Sequence, residues 1–139
     1  MAKKNKNDQI PTPVEYIRNM LDQIGYTQNV VGKQILENSC GRGSILRVIV
    51  ERYLIDAAAQ GLSIEETREG LERDIIGFEI DPVECEICKN QLNVLCAAHG
   101  VFDIQWNIYT EDFLKHTFEK QDIAYVVGNP PYITHHALS

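Results

Sequence analysis

The chain is predicted to be an α/β domain built on a parallel sheet. Three observations carry that prediction: short β-branched runs alternate with longer helical segments, capping residues stand at the start of those segments, and a glycine closes most of them. At 139 residues the chain has the length of one domain and is able to bury a real core.

The elements follow in order. Thr12-Pro13 with Glu15 has the pattern of a capping box, with Thr12 as N-cap and Pro13 at the first helical position. The helix over "VEYIRNMLDQI" then stops at Gly25. "QILE" (34–37) is a strand, "NSCGRGS" a loop, and "ILRVIVERYLIDAAAQ" a long helix ending at Gly61. Ser63 and Glu66 open a shorter helix, "IEETREGLER", and "DIIGFEI" (74–80) is the second strand. Asp81-Pro82 caps a helix that Gly100 closes. "DIQWNIY" (103–109) is the third strand, with Trp106 in the core. "EDFLKHTF" is at most a short helix, and "DIAYVV" (122–127) is a fourth strand whose run from Ile123 to Val127 is read as buried.

Composition excludes several classes. The apolar fraction is 44%, the charged fraction 24%, and no apolar run approaches the roughly 18 residues of a membrane span. A signal-peptide core is also lacking, so the expectation is a cytoplasmic protein with no membrane partner. Net charge is −7, against the basic balance of a free-standing nucleic-acid binder, and the one basic cluster, "AKKNK", reads as a solvated tail. Four cysteines are expected to be free thiols. Cys85 and Cys88 form a CxxC, but in a helix Cys88 and Cys96 stand roughly 12 Å apart, too far for one ion. No metal is expected. Cys85, Cys88, Leu92, Leu95, Cys96 and His99 instead form one helical stripe, which predicts core packing.

Ligands of open parallel sheets sit beyond the carboxyl ends of the strands. After the first strand, Gly41 and Gly43 let backbone approach a ligand closely. The third glycine of a dinucleotide fingerprint would fall at Leu46, and no Lys-Ser/Thr follows, so neither NAD nor a P-loop phosphate is indicated. After the second strand, Glu79 is placed to accept from both hydroxyls of a ribose, and Ile80 to cover one face of an adenine. Asp81 is read as a helix cap only. After the third, Asp112 can accept from an exocyclic amine, and Phe113 can sandwich a purine against Ile80.

The fourth strand runs into "GNPPY". Pro130 restricts Asn129 to extended backbone, and Pro131 restricts Pro130, so the Pro130 carbonyl is aimed in one direction. With the Asn129 side-chain oxygen it makes two fixed acceptors, suited to an NH2 group. Binding both hydrogens stabilises the positive charge a nucleobase amine acquires on attack. Tyr132 can stack on an extruded base, worth roughly 1–3 kcal/mol. No metal or strong base is needed when the electrophile is already activated, as a sulfonium methyl group is. His135 and His136 are read as solvent-exposed, and no role is given to "IEETREGLER".

In order and content these motifs resemble the N6-adenine DNA methyltransferases of restriction-modification systems, with the γ-type arrangement. "TP", "ENSCGRGSIL", "GFEIDP", "EDFL" and "GNPPYI" are similar to that family's N-terminal, glycine-loop, ribose, adenine and catalytic motifs. Asn38 stands where the family usually has proline. The resemblance implies a Rossmann-like S-adenosylmethionine-dependent methyltransferase fold, incomplete here, with the first four parallel strands and their helices. It implies S-adenosyl-L-methionine as cofactor. Thr12 and Pro13 would touch its methionine end, Glu37, Cys40 and Gly41 (with Gly43 in the same loop) would line its amino-acid part, Glu79 would hold the ribose, Ile80 and Phe113 would flank the adenine, and Asp112 would take its amine. Asn129, Pro130, Pro131 and Tyr132 would form the catalytic loop. The implied organisation is a tail and TP helix over residues 1–26, the N-terminal part of a catalytic domain over 27–139, and a target-recognition domain absent.

DNA would then be engaged through segments outside the chain, which accords with the acidic balance. The chain alone is expected to lack appreciable DNA methylation, and the fourth strand, as a sheet edge, to offer a homodimer contact. A methylase acting on a protein glutamine or an RNA base, and a non-catalytic α/β remnant or interaction module, are the alternatives. Adenine N6 and cytosine N4 both present two hydrogens, and the motif leans to adenine.

Overall fold

The computed structural model describes residues 12–111 and 123–128. The elements run α1 (Val14–Gln23), β1 (Gln34–Glu37), α2 (Ser44–Ala59), α3 (Ile64–Asp74), β2 (Ile75–Phe78), α4 (Pro82–Ala98), β3 (Asn107–Tyr109) and β4 (Ile123–Val127). The strands form one parallel sheet in the order β3-β2-β1-β4, as the alternation predicted. The chain steps outward from β1 to β3 and then returns to the other side of β1. The carboxyl ends of β1 and β4 therefore flank a topological switch point, where open α/β sheets place their ligands.

Side-chain alternation divides the core in two. Ile35 and Ile75 pack with α1, α2 and α4 into the main cluster, while Leu36, Ile76 and Phe78 form a smaller one on the opposite face. α2 is apolar on nearly all sides, with Ile45, Leu46, Val48, Ile49, Val50, Tyr53, Leu54 and Ala57 buried, because α1, α3 and α4 pack on it and its side chains share a core cluster with Ile35 and Ile75 of the sheet. Gly25, Gly61 and Gly100, all at positive φ, close α1, α2 and α4 as predicted. The α3 capping box is formed in full: the Glu66 amide donates to Ser63 Oγ at 3.0 Å, and the Ser63 amide to Glu66 Oε1 at 2.9 Å.

Several expectations are corrected. α1 begins at Val14, not at Pro13, and Thr12 is not its cap. Pro13 has ψ 140, outside the helix, and contributes only its carbonyl, which accepts from the Ile17 amide at 3.2 Å. Asp74 belongs to α3 rather than β2, since its buried carboxylate is bonded beside that helix end. The third strand is only Asn107–Tyr109, preceded by a loop in which Asp103 has φ 59. Trp106 therefore stands outside the strand, half-buried at the margin of the core, with its indole N–H donating to Asn93 Oδ1 at 2.7 Å. Of the α4 stripe, Cys85, Cys88, Leu92 and Cys96 are buried and their thiols free. Leu95 is only half-buried and His99 is exposed, because the helix ends there. β4 lies at a sheet edge among the described residues, so only Val127 of its run is buried. Among the described residues no helix is long and apolar enough to cross a membrane.

Candidate cofactor site at the strand ends

The loop after β1 is stapled to both neighbouring strands. Its Asn38 amide donates to Val127 O at 3.2 Å, and its Cys40 amide to Phe78 O at 2.9 Å. A proline at position 38 has no N–H for the first of these bonds, so Asn38 suits the way this loop joins β4. The Asn38 side chain also fills the space beside Gly128, where a Cβ would come within 2.6 Å of Asn38 Oδ1.

Register places Glu37, Gly77 and Val127 side by side at the carboxyl ends of β1, β2 and β4. Gly77 has to be glycine. A Cβ there would lie 2.5 Å from Cys40 Sγ. Cys40 thus packs its sulfur against the bare backbone of β2, which draws the glycine loop down onto the sheet. The neighbouring Cys88 thiol and burial hold the Cys40 thiol protonated, so it packs and is no nucleophile. Gly43 precedes α2 at φ 98, and a Cβ on it would meet Cys88 Sγ at 3.1 Å. Gly41 has φ 55 and open space where a side chain would be.

Glu79 joins the loops of β1 and β2. Its Oε1 accepts from the Gly41 amide at 2.7 Å and its Oε2 from the Asp81 amide at 3.0 Å. Each carboxylate oxygen has two lone pairs, so among the described residues one on each is left for a pair of vicinal hydroxyls. Ile80 follows, 65% exposed, an apolar surface beside that carboxylate. Asp81 is the cap it was predicted to be, accepting from the Val83 amide at 2.9 Å. Across the loop, Arg42 pairs with Glu84 at 3.0 Å, a surface pair of little energetic weight.

Glu37 is the unusual group. It is 1% exposed, and neither of its carboxylate oxygens has a hydrogen-bond partner among the described residues. Burial, helped by the charge of Glu79, pushes its pKa up to about 8. The Cys40 thiol and Ser39 amide offset this in part without reaching either oxygen in hydrogen-bond geometry. An orphaned buried carboxyl beside an open glycine loop fits a ligand carrying an ammonium group. With the free lone pairs of Glu79 and the exposed Ile80, these residues fit a nucleoside joined to an amino acid.

Of the residues singled out from sequence, the structure brings Glu37, Cys40, Gly41, Gly43, Glu79 and Ile80 together. Thr12 lines a separate cavity of about 330 Å³ between α1, α2 and α4, bordered by Ser44, the residue after Gly43. Asp112, Phe113, Asn129, Pro130, Pro131 and Tyr132 lie outside the described residues, as do the rest of "EDFLKHTF" after Glu111, His135, His136 and the basic N-terminal cluster. Sequence reasoning missed Gly77, whose signal was a glycine inside the apolar run "IIGF". It also missed the Asn38–Gly128 contact, which no local pattern announces.

A parallel sheet in this order, with a glycine loop after β1 and a carboxylate after β2, defines a Rossmann-like methyltransferase fold. The chain belongs to the N-6 DNA methylase family, whose model matches residues 1–138. It is 29% identical over 132 residues to the modification methylase CviBIII of Paramecium bursaria Chlorella virus NC1A, covering 94% of this chain and 27% of that protein. The chain thus spans about a quarter of that relative's length. Among solved structures it is similar to a modification subunit assigned to a type I restriction enzyme of Vibrio vulnificus YJ016, with TM-score 0.51, 25% identity, and coverage of 75% of this chain and 19% of that one. The ATP-dependent type ISP restriction-modification enzyme LlaBIII, bound to DNA, aligns over 91% of this chain and 11% of its own, with TM-score 0.59 and 14% identity, a likeness of fold.

Proposed function

We propose that this chain is the cofactor-binding and catalytic-loop portion of an S-adenosylmethionine-dependent enzyme that methylates the N6 amine of adenine in DNA, within a restriction-modification system. The observation that carries the reading is the junction of the β1 and β2 loops, where Glu79 accepts from the Gly41 amide beside the orphaned Glu37 carboxyl. Family membership supports the reaction class.

The residues take these roles. Glu79 holds the ribose hydroxyls with its remaining lone pairs, and Gly41 and Gly43 allow close approach of the backbone. Glu37 and Cys40 line the amino-acid end, with Thr12 and Pro13 at its methionine end. Ile80 and Phe113 flank the adenine, and Asp112 accepts from its amine. When bound, the cofactor supplies an electrophilic methyl group on a sulfonium. Asn129 and the Pro130 carbonyl accept both hydrogens of the target amine, Pro131 fixes that carbonyl, and Tyr132 stacks on the base. In this reading residues 1–26 form a tail and TP helix, and 27–139 form the front of the catalytic domain. Sequence-specific DNA contacts come from segments outside the chain, so the 139 residues alone do not methylate duplex DNA.

Calorimetric titration with S-adenosylhomocysteine tests the reading. The wild-type chain is expected to bind, and Glu79→Ala to lose most of that affinity. Equal binding by both proteins refutes the ribose assignment, and methyl incorporation into adenine-containing duplex by the chain alone refutes its inactivity.

A further inference from the structure

The linker between α1 and β1 is held by charged groups that take no part in the site above. Four consecutive amides turn onto two carboxylates. The Asn29 amide donates to Asp56 Oδ1 at 2.9 Å, and those of Val30 and Val31 to Asp56 Oδ2 at 2.9 and 3.1 Å. The next, Gly32, donates to Asp74 Oδ2 at 2.8 Å. Asn29 at φ 57 and Gly32 at φ 91 supply the left-handed turns that bring the amides round. Asp74 also accepts from Tyr53 at 2.5 Å and from Arg73 at 2.8 Å. Burial works against its charge, but Arg73, Tyr53 and the Gly32 amide outweigh it and hold the carboxyl below the usual range. One helical turn before Asp56, Arg52 donates to Asp22 at 2.8 Å, to Tyr26 O at 2.9 Å and to Arg18 O at 3.4 Å.

Burying Asp56 and Asp74, 7% and 1% exposed, is an expensive way to hold the linker that leaves α1, a helix that Ile17 and Leu21 already bind through apolar packing and that Arg52 bonds directly at Asp22 and Arg18 O. What the charged groups add is direction, since apolar contact leaves tilt and rotation loosely defined and bonds to named amides and carbonyls do not. α3, to which the sequence assigned no chemistry, delivers Asp74 to this place. It lies so close to α2 that a Cβ on Gly70 would collide with the Tyr53 hydroxyl.

We propose that Arg52, Asp56 and Asp74 are positioning residues: Arg52, bonded to α1, and the two carboxylates, bonded to the linker that follows, fix the axis of α1 from its C-terminal side and so hold Thr12-Pro13, at the other end, beside Ser44 in the first turn of α2. The ten residues of α1 span about 15 Å, so a tilt of about 5° at the clamp moves Thr12 by roughly 1 Å. A misplacement of that size is enough to cost a site function.

The inference rests on the reading of Thr12-Pro13 as the contact for the methionine end, and the test separates the two. The full chain, Asp56→Asn, Arg52→Lys and Thr12→Ala are each titrated with S-adenosylhomocysteine and with 5′-methylthioadenosine, which has the same nucleoside and lacks the amino acid. Asp56→Asn is expected to weaken the first ligand about tenfold and leave the second within twofold, as a purely structural loss would not. Arg52→Lys, which keeps charge and fold but loses the guanidinium fork, is expected to show the same selectivity at several-fold and decides the matter if Asp56→Asn does not fold. Equal losses for both ligands, or none, overturn the clamp. Thr12→Ala binding both ligands as the wild type does overturns the reading beneath it, and the clamp's role with it.

Discussion

Glu37 gives the chain a pH dependence opposite to that of an ordinary surface carboxylate. Its pKa is pushed from 4.5 to about 8 by burial, with no hydrogen-bond partner for either carboxylate oxygen among the described residues. Between those values the folded chain holds a proton that the unfolded chain releases. Stability from this group is therefore fully present below about pH 4.5 and is lost as pH rises through the folded pKa near 8. At about 1.4 kcal/mol per pH unit, the whole interval is on the order of 5 kcal/mol, comparable to the net stability of a small domain. Asp74, lowered, acts on the other side: its contribution is present above its ordinary pKa and fades only as pH falls, outside this window. Glu37→Gln keeps the shape and removes the titration. Urea unfolding of both proteins at several pH values from about 5 to 8 isolates the group, because every other titration cancels in the difference. The wild type should lose stability relative to Glu37→Gln across this range, at up to about 1.4 kcal/mol per pH unit. Parallel profiles would refute the reasoning and mean that Glu37 is ionised and paired in solution.

Three other predictions concern the frame of the site. Gly77→Ala pushes a methyl group onto Cys40 Sγ and should cost about 1–3 kcal/mol; chemical denaturation of Gly77→Ala, Cys40→Ala and the double variant should show the double to be less damaged than the sum of the singles, and additivity would argue against the contact. Ser63→Ala breaks the α3 capping box and should lower stability by about 1 kcal/mol in the same assay; no change would mean that the cap is not made in solution. β4 pairs only with β1 among the described residues, and light scattering of the 139-residue chain is expected to show self-association that Ala124→Lys suppresses, whereas a monomer at high concentration would count against pairing through that edge.

The sequence by itself determined the order of elements, the parallel sheet, and where most of the elements end, because those depend on local chemistry. Apolar alternation marks "QILE", Ser63 with Glu66 marks the start of α3, and Gly61 and Gly100 can adopt the positive φ that ends a helix. It also singled out Glu79 as a carboxylate just past a buried strand, which the structure places on the Gly41 and Asp81 amides. Where local rules compete, it misjudged the boundary. Thr12-Pro13 has the pattern of a cap followed by the first helical residue, but Pro13 itself, at ψ 140, stands at the N-cap and the helix begins one residue later. Tertiary structure alone decided what depends on distant segments meeting. Glu37 is abnormal because no hydrogen-bond partner among the described residues reaches its carboxylate at the switch point, and Gly77 is fixed by a sulfur 37 positions before it in the chain. Asp56 and Asp74 look like ordinary helix acids until the linker amides of residues 29–32 close on them. A carboxylate's worth is set by what surrounds it once water is gone, and no stretch of sequence contains that information.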